Sequence, residues 1–131
     1  MQDSHGFSEE TRNWLTVTLQ RSDIELSDIV IRETGKYVIL GNEQLKLYHT
    51  LTRFEYIDNG IYVSDKPSVW TRELEAAKLC GKSIICAFIS NSNILIDTTE
   101  LNSDYLTGTL HADPNDQEVI IFPGKYRVFH I

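Results

Sequence analysis

Basic residues are scarce in this chain: 12 Lys and Arg stand against 19 Asp and Glu, a net charge of −7. That excess argues against broad, sequence-independent gripping of DNA, RNA or an anionic membrane. It leaves room for a small basic pocket around a phosphorylated small molecule. Cysteine is nearly absent. Cys80 and Cys86 are too few for a disulfide framework and have no metal-site spacing, so buried free thiols are expected, with a disulfide or catalytic thiol as the alternative. No apolar run approaches a bilayer span, so no membrane partner is expected. The start, Met1-Gln2-Asp3-Ser4-His5-Gly6, lacks the basic and apolar regions of a signal peptide, and a cytoplasmic location follows as the expectation. Glycine-rich phosphate loops, His-Glu-x-x-His and Cys/His arrays are missing too, so no metal is expected. The three prolines mark no linker, and no repeat is visible.

At 131 residues one domain with a real core is expected over 1–131. Ser8 can cap a short helix, and Leu15, Val17 and Leu19 alternate with threonines as in a strand. A further apolar segment runs from Ile24 to Ile31, and Lys36–Leu40 reads as a strand ending at Gly41-Asn42. Leu45, Leu47, His49 and Leu51 share one face of a strand over Gln44–Thr52. A short strand over Gly60–Ser64 leads into a turn, after which Ser68 or Thr71 can cap a helix running to Leu79, with Trp70, Leu74 and Ala77 on one face. Gly81 stops it. Ser83–Ile89 and Asn93–Asp97 read as strands and residues 98–117 as mainly loop. Glu118–Phe122 and Lys125–His130 read as a hairpin through Pro123-Gly124. The class is α+β.

Three segments can carry chemistry: Leu47-Tyr48-His49-Thr50, Gly60-Ile61-Tyr62-Val63-Ser64, and Asp116-Gln117-Glu118 opening a late apolar strand. An ionised carboxylate at a strand mouth can stabilise an oxocarbenium-like sugar; Glu118 can equally face water. His49 can donate to a ribose hydroxyl or a backbone carbonyl, or be a satisfied histidine of the inner sheet face. Tyr62 offers a flat ring and a hydroxyl, or fills a core. Arg53 can meet a pyrophosphate or pair at the surface. Asp116 can also simply form the turn that begins at Asp113.

In this order the segments resemble the ADP-ribosyltransferase superfamily, in particular its His-Tyr-Glu branch, over roughly residues 45–131. The resemblance implies NAD+ as substrate, with Glu118, His49 and Tyr62 catalytic and His49, Arg53, Tyr62 and Ser64 holding the dinucleotide. Ala76-Ala77 match the small residues of the helix behind the second strand. It also implies small split, strongly bent β-sheets with one main packed helix. Thr50 stands where relatives often carry glycine, and the stretch between His49 and Tyr62 is short for the family. Asp116 corresponds to the position that orients an acceptor, and Tyr105, His111 and Asp113 lie in the segment that recognises it. The expected activity is transfer of ADP-ribose to a protein, nucleic acid or small-molecule acceptor with release of nicotinamide, or hydrolysis of NAD+. Removal of an RNA 2′-phosphate with NAD+ lacks its usual basic set here. The alternative is a noncatalytic acidic module that binds or inhibits a protein partner.

Overall fold

The computed structural model describes residues 3–38 and 43–131. It opens with helix α1 (Glu9–Leu19), whose first turn is capped by the Ser8 hydroxyl accepting from Thr11 N–H. Thr11, Trp14, Leu15, Thr18 and Leu19 are its buried residues, a three-and-four spacing that makes one helical stripe. The Leu15–Leu19 alternation is thus a helix read at the wrong period. Helix α2 (Asp28–Thr34), capped by Ser27, occupies the apolar segment that follows. Of the strand expected at 36–40, residues 36–38 form turn and bend structure; the remainder and Gly41-Asn42 lie outside the described residues.

Next come β1 (Gln44–Thr50), β2 (Ile57–Asp58), β3 (Ile61–Ser64) and β4 (Ser68–Thr71), then helix α3 (Leu74–Cys80), β5 (Ile84–Ser90) and β6 (Ile94–Asp97). Helix α4 (Ser103–Gly108) and a single turn at Pro114–Asp116 precede β7 (Glu118–Ile121), β8 (Gly124–Arg127) and β9 (Phe129–His130). The strands form one sheet in the order β6-β7-β4-β1-β5-β9 and a second in the order β2-β3-β8.

The α+β class holds, but the expectation of one dominant helix on small, strongly bent sheets does not. Four separate helices accompany two open sheets among the described residues. Ser68–Thr71 is not a helix start but a strand with all four residues buried, so no alternation betrays it. The helix behind it runs only from Leu74, and the carbonyl end at Gly81 falls where expected. The final segment is not a hairpin either. β7 pairs with β4 and β6, whereas β8 pairs with β3, so the chain crosses from one sheet to the other at Phe122-Pro123.

Two apolar clusters result. Phe7, Trp14, Leu15 and Val30 meet Val69, Leu95, Ile96 and Ile120, which seats α1 and α2 on the large sheet. Leu47, Tyr62, Trp70, Ile85, Val119 and Tyr126 fill the space between the sheets. Glu33, buried in α2, accepts from Ser8 N–H (2.8 Å) and the Thr11 hydroxyl (2.5 Å), locking the two helices together. Cys86 is buried as expected, but Cys80 is exposed; neither forms a disulfide. No helix among the described residues is long and apolar enough to cross a membrane.

Candidate functional site

A cavity of about 590 Å³ opens beside the middle of the large sheet, within the size range of small-molecule sites. Its walls include His49 and Thr50 of β1, Trp70 and Thr71 of β4, Ala77 of α3, and Glu118. Register places these groups together: Tyr48 lies opposite Thr71, and Thr71 opposite Glu118. Tyr48 and Glu118 are therefore two strand spacings apart, roughly 10 Å.

Glu118 is the first residue of a strand whose four positions are all buried. Its backbone carbonyl accepts from the Thr98 hydroxyl at 2.6 Å, and the preceding Gln117 carbonyl accepts from Arg72 N–H at 3.1 Å. Both contacts fix the strand mouth. The side chain is 8% exposed, and its Oε2 accepts from Arg21 Nη1 at 2.7 Å. Oε1 has no protein partner among the described residues. Burial pushes the carboxyl up, with Asp116 and Asp113 adding to that, and Arg21 opposes them without reversing the direction. Burial and Asp113 likewise raise Asp116.

His49 is held on all sides. Its Nδ1 lies 2.8 Å from the Val69 carbonyl, which can only accept, so this nitrogen donates. Its Nε2 lies 3.1 Å from each Glu55 oxygen. Both ring nitrogens thus face protein acceptors. The ring stacks on Trp70 with centroids 4.9 Å apart. Glu55 also accepts from the Tyr62 hydroxyl at 2.5 Å and from Thr52 N–H at 2.9 Å. Burial pushes the Glu55 carboxyl up, but His49, the Tyr62 hydroxyl and Thr52 N–H outweigh it and hold it at about 2, against an ordinary 4.5. The Tyr62 hydroxyl is raised, first by burial and then by Glu55.

A carboxyl depressed in the folded state stabilises the fold above the unfolded value and loses that contribution as pH falls from about 4.5 toward about 2. Because Glu55 is partly exposed, the contribution is discounted to about 1–2 kcal/mol. Urea unfolding of Glu55→Gln is expected to show a correspondingly shallower loss of stability between pH 5 and pH 2.5. Parallel curves for the two proteins would reject the assignment.

The site residues read from sequence divide into two groups. His49, Glu118, Asp116, His111 and Asp113 line the cavity. Tyr62 does not: it sits on the small sheet, 1% exposed, behind His49 and edge-on to Trp70. Ser64 turns its hydroxyl to the Lys66 carbonyl at 2.6 Å. Arg53 lies over the Phe54 ring, 4.8 Å from its centroid, and is not among the residues lining the cavity. Tyr105 belongs to α4, packs with His5 and Phe7, and donates its hydroxyl to Asp3. The segment before Glu118 is therefore ordered structure with only its later part, from His111, on the cavity.

Arg21 and Glu55 of this region escape sequence reasoning, while Trp70 and Thr71 are read there as parts of a helix and belong instead to strand β4. The Thr71 hydroxyl donates to the Asp116 carbonyl at 2.5 Å and joins β4 to the turn before Glu118. A signal for β4 exists in the run of Ser68-Val69-Trp70-Thr71, which is β-branched and aromatic. Nothing local marks Arg21, 97 residues from its partner. Among the described residues no group of three or more His, Cys, Asp or Glu is placed to hold a metal ion. Comparison with protein-family models, curated proteins and solved structures gives no significant match.

Proposed function

We propose that this chain cleaves the nicotinamide–ribose bond of NAD+ and transfers ADP-ribose to an acceptor, with Glu118 as its catalytic carboxylate. One observation carries the reading: Glu118 is buried at a strand mouth, on the wall of the cavity that His49 also lines, with one carboxylate oxygen that no other described residue engages. A glutamate of purely solvating function would point to water.

The chemistry needs little more from the protein than placement and charge. As the glycosidic bond lengthens, the electron pair leaves with neutral nicotinamide and positive charge grows on the ribose. A preorganised carboxylate in a partly dry site stabilises that charge most where it is largest, in the transition state. Glu118 Oε1 is the atom available for a ribose hydroxyl or for the proton of the entering nucleophile. His49 supplies a fixed polar wall, its ring nitrogens held by the Val69 carbonyl and Glu55. Tyr62 acts through Glu55 as a positioning residue and does not touch the ligand. Asp116, Asp113 and His111 lie where an acceptor enters. Protein, nucleic-acid and small-molecule acceptors all suit this geometry, and water would give hydrolysis.

The test is direct. Folded protein is incubated with NAD+ and panels of peptide, single-stranded nucleic-acid and small-molecule acceptors, and nicotinamide is quantified by chromatography. Release above the enzyme-free control is expected with at least one acceptor or with water. Its absence across all panels, together with a tight protein partner, would favour a noncatalytic acidic interaction module.

A further inference from the structure

Arg21 occupies a position where arginine is conformationally disfavoured. Helix α1 ends in a paired closure: Arg21 N–H donates to the Thr18 carbonyl at 2.9 Å and Ser22 N–H to the Val17 carbonyl at 3.1 Å. This closure places the residue after the cap in the left-handed region, ordinarily filled by glycine or asparagine. Arg21 sits there with φ +64°. A non-glycine residue held in this way points to a use for its side chain.

That side chain reaches the cavity. Nη1 is shared between the Leu19 carbonyl at 2.8 Å and Glu118 Oε2 at 2.7 Å. The contact is single-pronged, so the Nε and Nη2 edge has no protein acceptor among the described residues, and the side chain is 49% exposed. Arg21 is also the one lysine or arginine among the described residues lining this cavity, which otherwise carries Glu118, Asp116 and Asp113. Three carboxylates would repel an anionic ligand; a guanidinium among them, with a free edge, is the feature that admits one.

We infer that Arg21 is the pyrophosphate-binding residue of the cavity, using its free edge for the ligand's phosphate oxygens while Nη1 keeps Glu118 oriented. The inference rests on the NAD+ reading above and adds the group that recognises the phosphates. It transfers to Arg21 the role that Arg53, stacked on Phe54 and not among the lining residues, does not fill.

The experiment uses the full chain, with NAD+ binding measured by calorimetry and inorganic pyrophosphate as competitor. Arg21→Asn suits the left-handed position, so a folded variant is expected and is checked by thermal melting. It should weaken NAD+ binding about 10- to 100-fold, in line with loss of a charge-assisted fork. Arg21→Lys, which keeps the charge without the fork, should fall between the two. Pyrophosphate should displace NAD+ from the wild-type protein, and its effect on Arg21→Asn should be much weaker. If wild-type protein binds NAD+ but pyrophosphate does not compete, or if Arg21→Asn binds NAD+ as wild type does, the assignment of Arg21 is overturned and the NAD+ reading stands. If wild-type protein binds no NAD+, both fall.

Discussion

Glu118→Gln is expected to reduce nicotinamide release by about 10³-fold, the range in which loss of one preorganised electrostatic stabiliser falls. The substitution keeps the shape and hydrogen-bonding capacity of the side chain while removing its charge. NAD+ affinity should therefore change only a few-fold, because in the proposed reaction the charge acts chiefly on the cation that develops as the bond breaks. Stability separates this effect from damage to the fold. Burial raises the Glu118 carboxyl in the folded state, so the folded protein holds the proton more tightly than the unfolded chain does. A group of that kind favours folding at low pH and loses the contribution as pH rises through the interval between its unfolded and folded values. Its charge at neutral pH is thus a net burden on the fold, and replacing it with a neutral amide should leave stability at pH 7 unchanged or improved. Urea unfolding beside the nicotinamide assay checks both halves. A Gln variant that turns over NAD+ within about tenfold of wild type would remove Glu118 from the chemistry.

His49 and Glu118 were legible because each is polar at a position where an apolar residue packs more easily. A charge opening the run Val119-Ile120-Ile121 and a histidine on the face shared by Leu45 and Leu47 stand out in one dimension. Their neighbourhood was not legible. Tyr62 reads as the residue of the adjoining strand because Gly60-Ile61-Tyr62-Val63-Ser64 alternates cleanly, yet β1 pairs with β4 and β5, and β3 pairs with β2 and β8. The strand that does lie beside His49 is buried at all four positions, and its Ser68 and Thr71 imitate helix caps. Helix α1 misleads in the opposite sense, since its threonines produce a short alternation that competes with the helical stripe. Arg21 belongs to neither kind of signal. Its role depends on where α1 ends relative to β7, a tertiary relation that no local pattern encodes.

The same tertiary dependence gives the largest expected effect on stability. Asp97, at the end of β6, has no solvent exposure; it accepts from Thr99 N–H at 3.0 Å, from the Thr99 hydroxyl at 2.7 Å and from Arg72 Nη2. Arg72 follows β4, so the ion pair spans β7, the strand between them that begins with Glu118. Arg72→Ala would leave a carboxylate in the interior with only the Thr99 donors, and breaking a buried pair from one side costs about 3–5 kcal/mol. For a domain whose total stability is of order 5–15 kcal/mol, that is enough to shift the urea midpoint severely or to leave much of the protein unfolded at 37 °C. Replacing both partners with apolar residues, Arg72→Met with Asp97→Leu, removes the stranded charge as well as the attraction. The double variant is therefore expected to be more stable than Arg72→Ala by about 2 kcal/mol or more. Since the pair holds the two strands that flank Glu118, Arg72→Ala should also lose NAD+ turnover in proportion to the fraction unfolded, and the double variant should regain part of it. If Arg72→Ala unfolds within about 1 kcal/mol of wild type, the pair is not a determinant of the fold, and the strand mouth must be held by the Thr98 and Thr71 hydroxyl contacts instead.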